Sequence, residues 1–151
     1  MIKIKKILVA TDGSKTSRKS VEYAVELAKQ TGANLMLLSV IDESFFISQS
    51  IPAMARPTRL IEPIEDYLRQ AAEAYLEEAE RLCKKNEIQS KKVIKTGHPV
   101  EEIIKEAKKS KADLIIMGSH GKSALKAAFL GSVTFGVIHK DTKVPVLVVR
   151  R

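Results

Sequence analysis

"LIIMGSHGKSALKAAFLGSV", residues 114–133, joins a run of aliphatic side chains directly to a glycine-rich turn. The apolar run 114–117 is unbroken by polar residues, the pattern of a strand buried on both faces. The turn after it holds Gly118 and Gly121, and Gly131-Ser132 follows ten residues beyond Gly121. Gly121-Lys122-Ser123 ends in the manner of a phosphate-binding P-loop. That motif requires a glycine five residues before Gly121, where Ile116 stands inside the strand. The dinucleotide pattern G-x-G-x-x-G fails too, because Gly118 and Gly121 are three apart with no glycine at the required offset before them.

Working outward from that strand, apolar runs and helical stripes alternate along the chain. Residues 7–11 form one short apolar run, followed by the N-cap oxygens of Ser14, Thr16 and Ser17. Val21, Ala24, Val25 and Ala28 make one helical stripe, closed by Gly32. Residues 35–41 read as a second buried strand. Ile64, Leu68, Ala71, Tyr75, Ala79 and Leu82 mark a long amphipathic helix ending near Asn86. Residues 88–96 form a weaker third strand, and Pro99 opens a helix carrying Val100, Ile103, Ile104 and Ala107. Residues 144–149 supply the fifth strand. Strands of near-continuous Ile, Leu and Val between amphipathic helices predict a parallel sheet covered on both faces. Ligands of such sheets sit beyond the carboxyl ends of the strands. Two exits are chemically unusual: Thr11-Asp12-Gly13-Ser14 after the first strand and Gly118-Ser119-His120-Gly121 after the fourth.

Composition narrows the classes. The 151 residues, 44% hydrophobic and 29% charged, suit one globular domain. No run approaches the roughly 18 apolar residues of a membrane span. The start of the chain has no signal-peptide pattern, and the single Cys83 excludes an internal disulfide, so a reduced, cytoplasmic protein is expected. The net charge of +8 raises the question of polyanion binding. The basic residues are scattered, the chain has no tryptophan, and few aromatics interleave them, so a solvated face explains the charge better than nucleic acid does.

Glycines let backbone N–H groups approach a phosphate without an intervening side chain. Gly118 and Gly121 suit such a turn, and Gly131-Ser132-Val133-Thr134 opens a helical segment running towards His139. A helix start carries free N–H groups and partial positive charge. Ser132 and Thr134 add hydroxyl donors. The spacing equally fits glycines that only shape turns, with Ser132 capping a helix.

The arrangement Gly118-x2-Gly121-x9-Gly131-Ser132 resembles the nucleotide-binding signature of the universal stress protein family. The resemblance extends to "KKILVATDGS" at 5–14, "TGHPVEEIIKEAKKSKADLIIMGSHG" at 96–121 and "VPVLVVR" at 144–150. It implies a single-domain α/β fold spanning 1–151, a doubly wound five-stranded parallel sheet of order 3-2-1-4-5 with helices on both faces. An irregular insertion is expected at about 42–62. In ATP-binding members of the family, the residue corresponding to Asp12 meets the adenosine. Val40 flanks the adenine, with Ala10 and Thr11 nearby. Gly118 and Gly121 line the ribose and phosphates, and Gly131, Ser132, Val133 and Thr134 the phosphates; Met117 and His120 are counted with them as cofactor-binding residues. ATP, with or without magnesium, is the implied cofactor. His120, read from its own turn, is expected to face solvent. Lys122 is a candidate to neutralise phosphate charge. Phe135 denies Ser132 a capping box. Gly136, at about 1 kcal/mol against alanine, is expected to loosen the phosphate-side helix.

A dedicated catalytic site is not visible: Asp12 is the acid placed in the crevice, with recognition as its suggested role, and Asp42 and Glu43, which follow the second strand and could approach, have no base paired with them. No metal site is suggested by His98, His120 and His139. The leading expectation is a nucleotide-dependent regulator of the stress response acting through an unidentified downstream protein. A weak ATPase or phosphotransferase and a nucleotide-independent interaction module are the alternatives. An exposed strand at 144–149 invites pairing, and the resemblance implies a homodimer through it. The segment 44–63, with Phe45, Phe46, Ile47 and Ile51, is expected to form a flap near the site.

Overall fold

A computed structural model describes residues 1–44, 58–121, 130–140 and 143–151, and their side chains except those of 58–62. The expected flap therefore falls largely outside the described residues, as does Lys122. Five strands run in the order β3-β2-β1-β4-β5 and all pair in parallel. They are β1 (Lys6–Ala10), β2 (Asn34–Asp42), β3 (Ser90–Gly97), β4 (Leu114–Gly118) and β5 (Val146–Val149). Four helices connect them among the described residues: α1 (Lys15–Thr31), α2 (Thr58–Lys85), α3 (Pro99–Ser110) and α4 (Ser132–His139).

The unbroken apolar runs are explained by two cores, one on each face of the sheet. Successive strand residues point to opposite faces. Ile7, Val9, Leu35, Leu37 and Ile116 face α1 and α2, meeting Val21, Val25, Leu76, Ala79 and Cys83. Leu8, Met36, Leu38, Ile115 and Met117 face the other way, against Val100, Ile103, Ile104 and Val137 of α3 and α4. Ile7, Leu8 and Val9 of the central strand are all fully buried. Each such side chain contributes about 1.5–3 kcal/mol relative to exposure.

Helix ends follow local chemistry. The Ser14 hydroxyl accepts from the Ser17 N–H at 3.2 Å, capping α1, which stops where Gly32 turns left-handed at φ 77°. Pro99 occupies the first turn of α3, with Glu101 and Glu102 beside it and Lys108 and Lys109 in the last turn, as the helix dipole favours. The long helix α2 departs from expectation. It begins at Thr58, ahead of the Ile64 stripe, and holds Pro63 within it. Residues 58–62, expected to be irregular, are thus helical, with Pro63 as the sixth residue of the helix.

Gly136 is also corrected. A Cβ at this position would lie 2.6 Å from Cγ2 of Val100. Close packing of α3 on α4 demands a residue without a side chain there, and the neighbouring Val137 is fully buried. The glycine is a packing contact between two helices rather than a weak point in one.

From β1 the chain winds through β2 to β3 at one edge, and it returns past β1 to β4 and β5. The direction reverses between β1 and β4, and a crevice opens there beyond the strand ends.

Candidate functional site

The exit of β1 is fixed by its own side chains. Thr11 donates its N–H to the Leu38 carbonyl at 2.9 Å, and its hydroxyl lies 3.1 Å from that of Ser17. The Asp12 carboxylate accepts the Ser14 N–H through Oδ1 at 2.9 Å, closing a tight turn around Gly13, whose φ is +79°. The remaining carboxylate oxygen faces the second exit: a Cβ on Gly121 would stand 2.5 Å from Oδ2 of Asp12. Gly121 is bare because the carboxylate occupies the space a side chain would need.

The exit of β4 is tied on both flanks. The Ser119 N–H donates to the Val149 carbonyl at 2.8 Å, and the Ser119 carbonyl accepts the Gly131 N–H at 2.7 Å. Gly118 lies so close to α1 that a Cβ would be 2.6 Å from Cγ2 of Thr16. The Thr134 hydroxyl donates to the Gly118 carbonyl at 2.7 Å. That hydroxyl, expected to serve a phosphate, is instead spent inside the protein. The N–H groups of α4 are another matter. Phe135 is the first residue whose N–H bonds back, to the Gly131 carbonyl at 2.9 Å, which leaves Ser132, Val133 and Thr134 in the first turn with no acceptor inside their helix. No acidic residue stands in that turn to compete for an anion.

His120 does not face solvent. It is 7% exposed, and its Nδ1 lies 2.8 Å from Oγ of Ser119, itself buried. The turn folds inward between the two glycines, and the ring lines the crevice.

All twelve residues expected at the site line one crevice of about 210 Å³: Ala10, Thr11, Asp12, Val40, Met117, Gly118, His120, Gly121, Gly131, Ser132, Val133 and Thr134. Ser17, Leu38, Pro99 and Ile103 complete the lining without having been anticipated as site residues, and Asp42, expected only to approach from the end of the second strand, lines it too. Pro99 and Ile103 read as helix start and core stripe, and the signal for their second role is positional: α3 begins at the carboxyl end of β3. The crevice is lined by the apolar Leu38, Val40, Ile103 and Met117, by the carboxylate-bearing Asp12 and Asp42, and by the N–H-rich start of α4. Such a cleft suits an elongated ligand with a flat apolar part and an anionic tail. Among the described residues, no group of three or more His, Cys, Asp or Glu is arranged to hold a metal ion.

The model of the Universal stress protein family matches residues 3–150. The chain belongs to this family. Universal stress protein YxiE of Bacillus subtilis is 36% identical over 146 residues, covering 96% of this chain and 98% of its own length. Universal stress protein MJ0577 of Methanocaldococcus jannaschii is 37% identical over 155 residues, covering 97% of this chain and 95% of its own. A solved structure of MJ0577 superposes with a TM-score of 0.84 and 35% identity, over 99% of this chain and 98% of that one. A universal stress protein solved in complex with cAMP superposes with a TM-score of 0.68 and 25% identity, over 99% of this chain and 98% of its own. The fold of the family and the order of its strands are those of this chain.

Proposed function

We propose that the crevice binds an adenine nucleotide, ATP in particular, and that occupancy switches the shape or partners of a cytoplasmic stress-response regulator. The observation that carries this reading is the first turn of α4, whose Ser132, Val133 and Thr134 N–H groups lack helical acceptors and line the same crevice as Asp12. Asp12 would take a ribose hydroxyl, Val40 and Met117 would flank the base, and the α4 start would take the phosphates. The family neighbour that holds cAMP supports an adenine nucleotide over other anions.

The test is the melting temperature with ATP, ADP, AMP and GTP, each with and without magnesium. A ligand at 100 times its dissociation constant stabilises by about 2.7 kcal/mol, a rise of roughly 5–10 °C for a domain of this size. A rise with adenine nucleotides that Gly131→Val removes is expected. The magnesium arms decide whether a metal ion accompanies the phosphates. No shift with any nucleotide at millimolar concentration would sink the reading and favour a nucleotide-independent interaction module.

A homodimer through β5 belongs to the same proposal. Among the described residues the strand pairs with β4 on one side only, and its four residues are half-buried. Beside it on α1, Tyr23 is 54% exposed, and with Leu27 and Val149 it lines a shallow groove that a second copy would cover. Sedimentation at micromolar concentration is expected to give a dimer, and a monomer alone would refute it.

A further inference from the structure

The Asp12 carboxylate accepts the Ser14 N–H within its own turn, and on the crevice side its Oδ2 fills the space that a side chain on Gly121 would need. A third contact comes from behind. A Cβ at Gly13 would stand 2.5 Å from Cδ1 and 2.6 Å from Cζ of Tyr75, so the ring of Tyr75 lies directly against the backbone of the residue that follows Asp12. Tyr75 lies on α2, outside the crevice, in a stretch of helix pinned to the sheet by the buried Ala72, Leu76 and Ala79. A helix turn anchored so firmly presents its ring at a fixed height.

Gly13 makes that contact meaningful. Its φ of +79° is the left-handed conformation the Asp12-Gly13-Ser14 turn requires, and it is buried. Without the ring, the backbone at Gly13 would have room to relax away from the crevice, because a second cavity of about 310 Å³ opens behind it between α1 and α2. Thr11 lines both cavities, so the exit of β1 that carries Asp12 borders each of them.

We propose that Tyr75 is the positioning residue for Asp12: its ring braces the turn at Gly13 and thereby aims the carboxylate into the crevice. The function assigned to the carboxylate rests on the nucleotide reading above. The brace itself does not. The effect of Tyr75 on a ligand passes through Asp12.

Three substitutions and two readouts test this. Tyr75→Phe keeps the ring, Tyr75→Leu removes it while keeping apolar bulk, and Tyr75→Met is carried alongside as a second ringless variant should one fail to fold. The first readout is hydrogen exchange of the Ser14 amide, which reports the Asp12 turn with no nucleotide present. Exchange is expected to be about tenfold faster in the ringless variants and unchanged in Tyr75→Phe. The second is ATP affinity, expected to fall about tenfold in the ringless variants and to hold within about twofold in Tyr75→Phe. In an Asp12→Asn background, removal of the ring is expected to cost no further affinity. A residue that merely fills space would lower the melting temperature and leave exchange at Ser14 unchanged, and that result would overturn the proposal. So would an additive loss of affinity in the Asp12→Asn background. If the wild-type protein binds no adenine nucleotide, the proposed function fails, and Ser14 exchange alone still decides whether Tyr75 braces the turn.

Discussion

The hydroxyl of Thr134 reaches across the crevice to the carbonyl of Gly118 at 2.7 Å, joining the start of α4 to the end of β4. One end is the first glycine of the signature and the other lies two residues past its closing Ser132, so the segment offering N–H groups is anchored to the strand that carries the first glycine. Thr134→Val keeps the shape and removes the donor, leaving a shielded carbonyl without its partner. A loss of about 1–3 kcal/mol is expected, at roughly 2–4 °C in melting temperature for each kcal/mol. Thr134→Ser, which keeps the hydroxyl, is expected to recover most of it in calorimetry.

Gly121→Ala is expected to act on ligand binding more than on folding. The new methyl would stand 2.5 Å from Oδ2 of Asp12, so the carboxylate must shift to admit it. The shift takes it from its place beside Gly121 in the crevice. ATP affinity is expected to drop at least about tenfold, the equivalent of roughly 1.4 kcal/mol, while the circular dichroism spectrum is unchanged. Titration calorimetry on the variant checks both the direction and the size.

The strands were legible because burial on both faces writes itself as unbroken Ile, Leu and Val, as in 7–9 and 114–117. Their order was not, since nothing in 7–9 says that it lies between 35–37 and 114–116, as the register shows. That adjacency came only with the family resemblance. The glycines read equally well as an anion cradle or as turn residues, and their individual reasons were hidden. Gly118 yields to Thr16, Gly121 to Asp12 and Gly136 to Val100, and each partner is a contact across the fold. His120 was misjudged for the same cause. A histidine between two glycines reads as an exposed turn, and its burial follows from the Gly131 N–H bonding back to the Ser119 carbonyl, which folds the α4 start over it.

Gly136→Ala separates helix propensity from packing. In an exposed helix this exchange stabilises by roughly 0.5–1 kcal/mol. Here the added methyl meets Cγ2 of Val100 at 2.6 Å, and α3 and α4 must part to admit it. Net destabilisation of about 1–3 kcal/mol is expected, the range for overpacked cores. Val100→Ala, which costs stability alone, is expected to cost less when combined with Gly136→Ala. A stabilised Gly136→Ala protein in urea denaturation would show that the helices are not in contact at this point.

Cys83 predicts how stability changes at alkaline pH. The side chain is fully buried between α2 and the sheet, and burial pushes its thiol above the ordinary value, with the Ser90 hydrogen bond pulling the other way and the Glu80 carboxylate adding to the rise. The folded protein therefore keeps the proton at pH values where the unfolded chain, titrating near 8.5, has released it. Between those two values the native state binds more protons, so stability is fully present below about pH 8.5 and is lost as pH rises towards the folded value. Lysines titrate in the same region, so the measurement is a difference: urea unfolding from pH 7.5 to 10 for the wild type and for Cys83→Ala. The substitution is expected to lower stability at pH 7.5 through the space it leaves, and the gap between the two proteins is expected to narrow as pH rises. Thiol reagents at pH 8 are expected to modify the folded wild type only as fast as it opens. Prompt modification at the rate of a free thiol would mean that α2 does not cover Cys83 in solution.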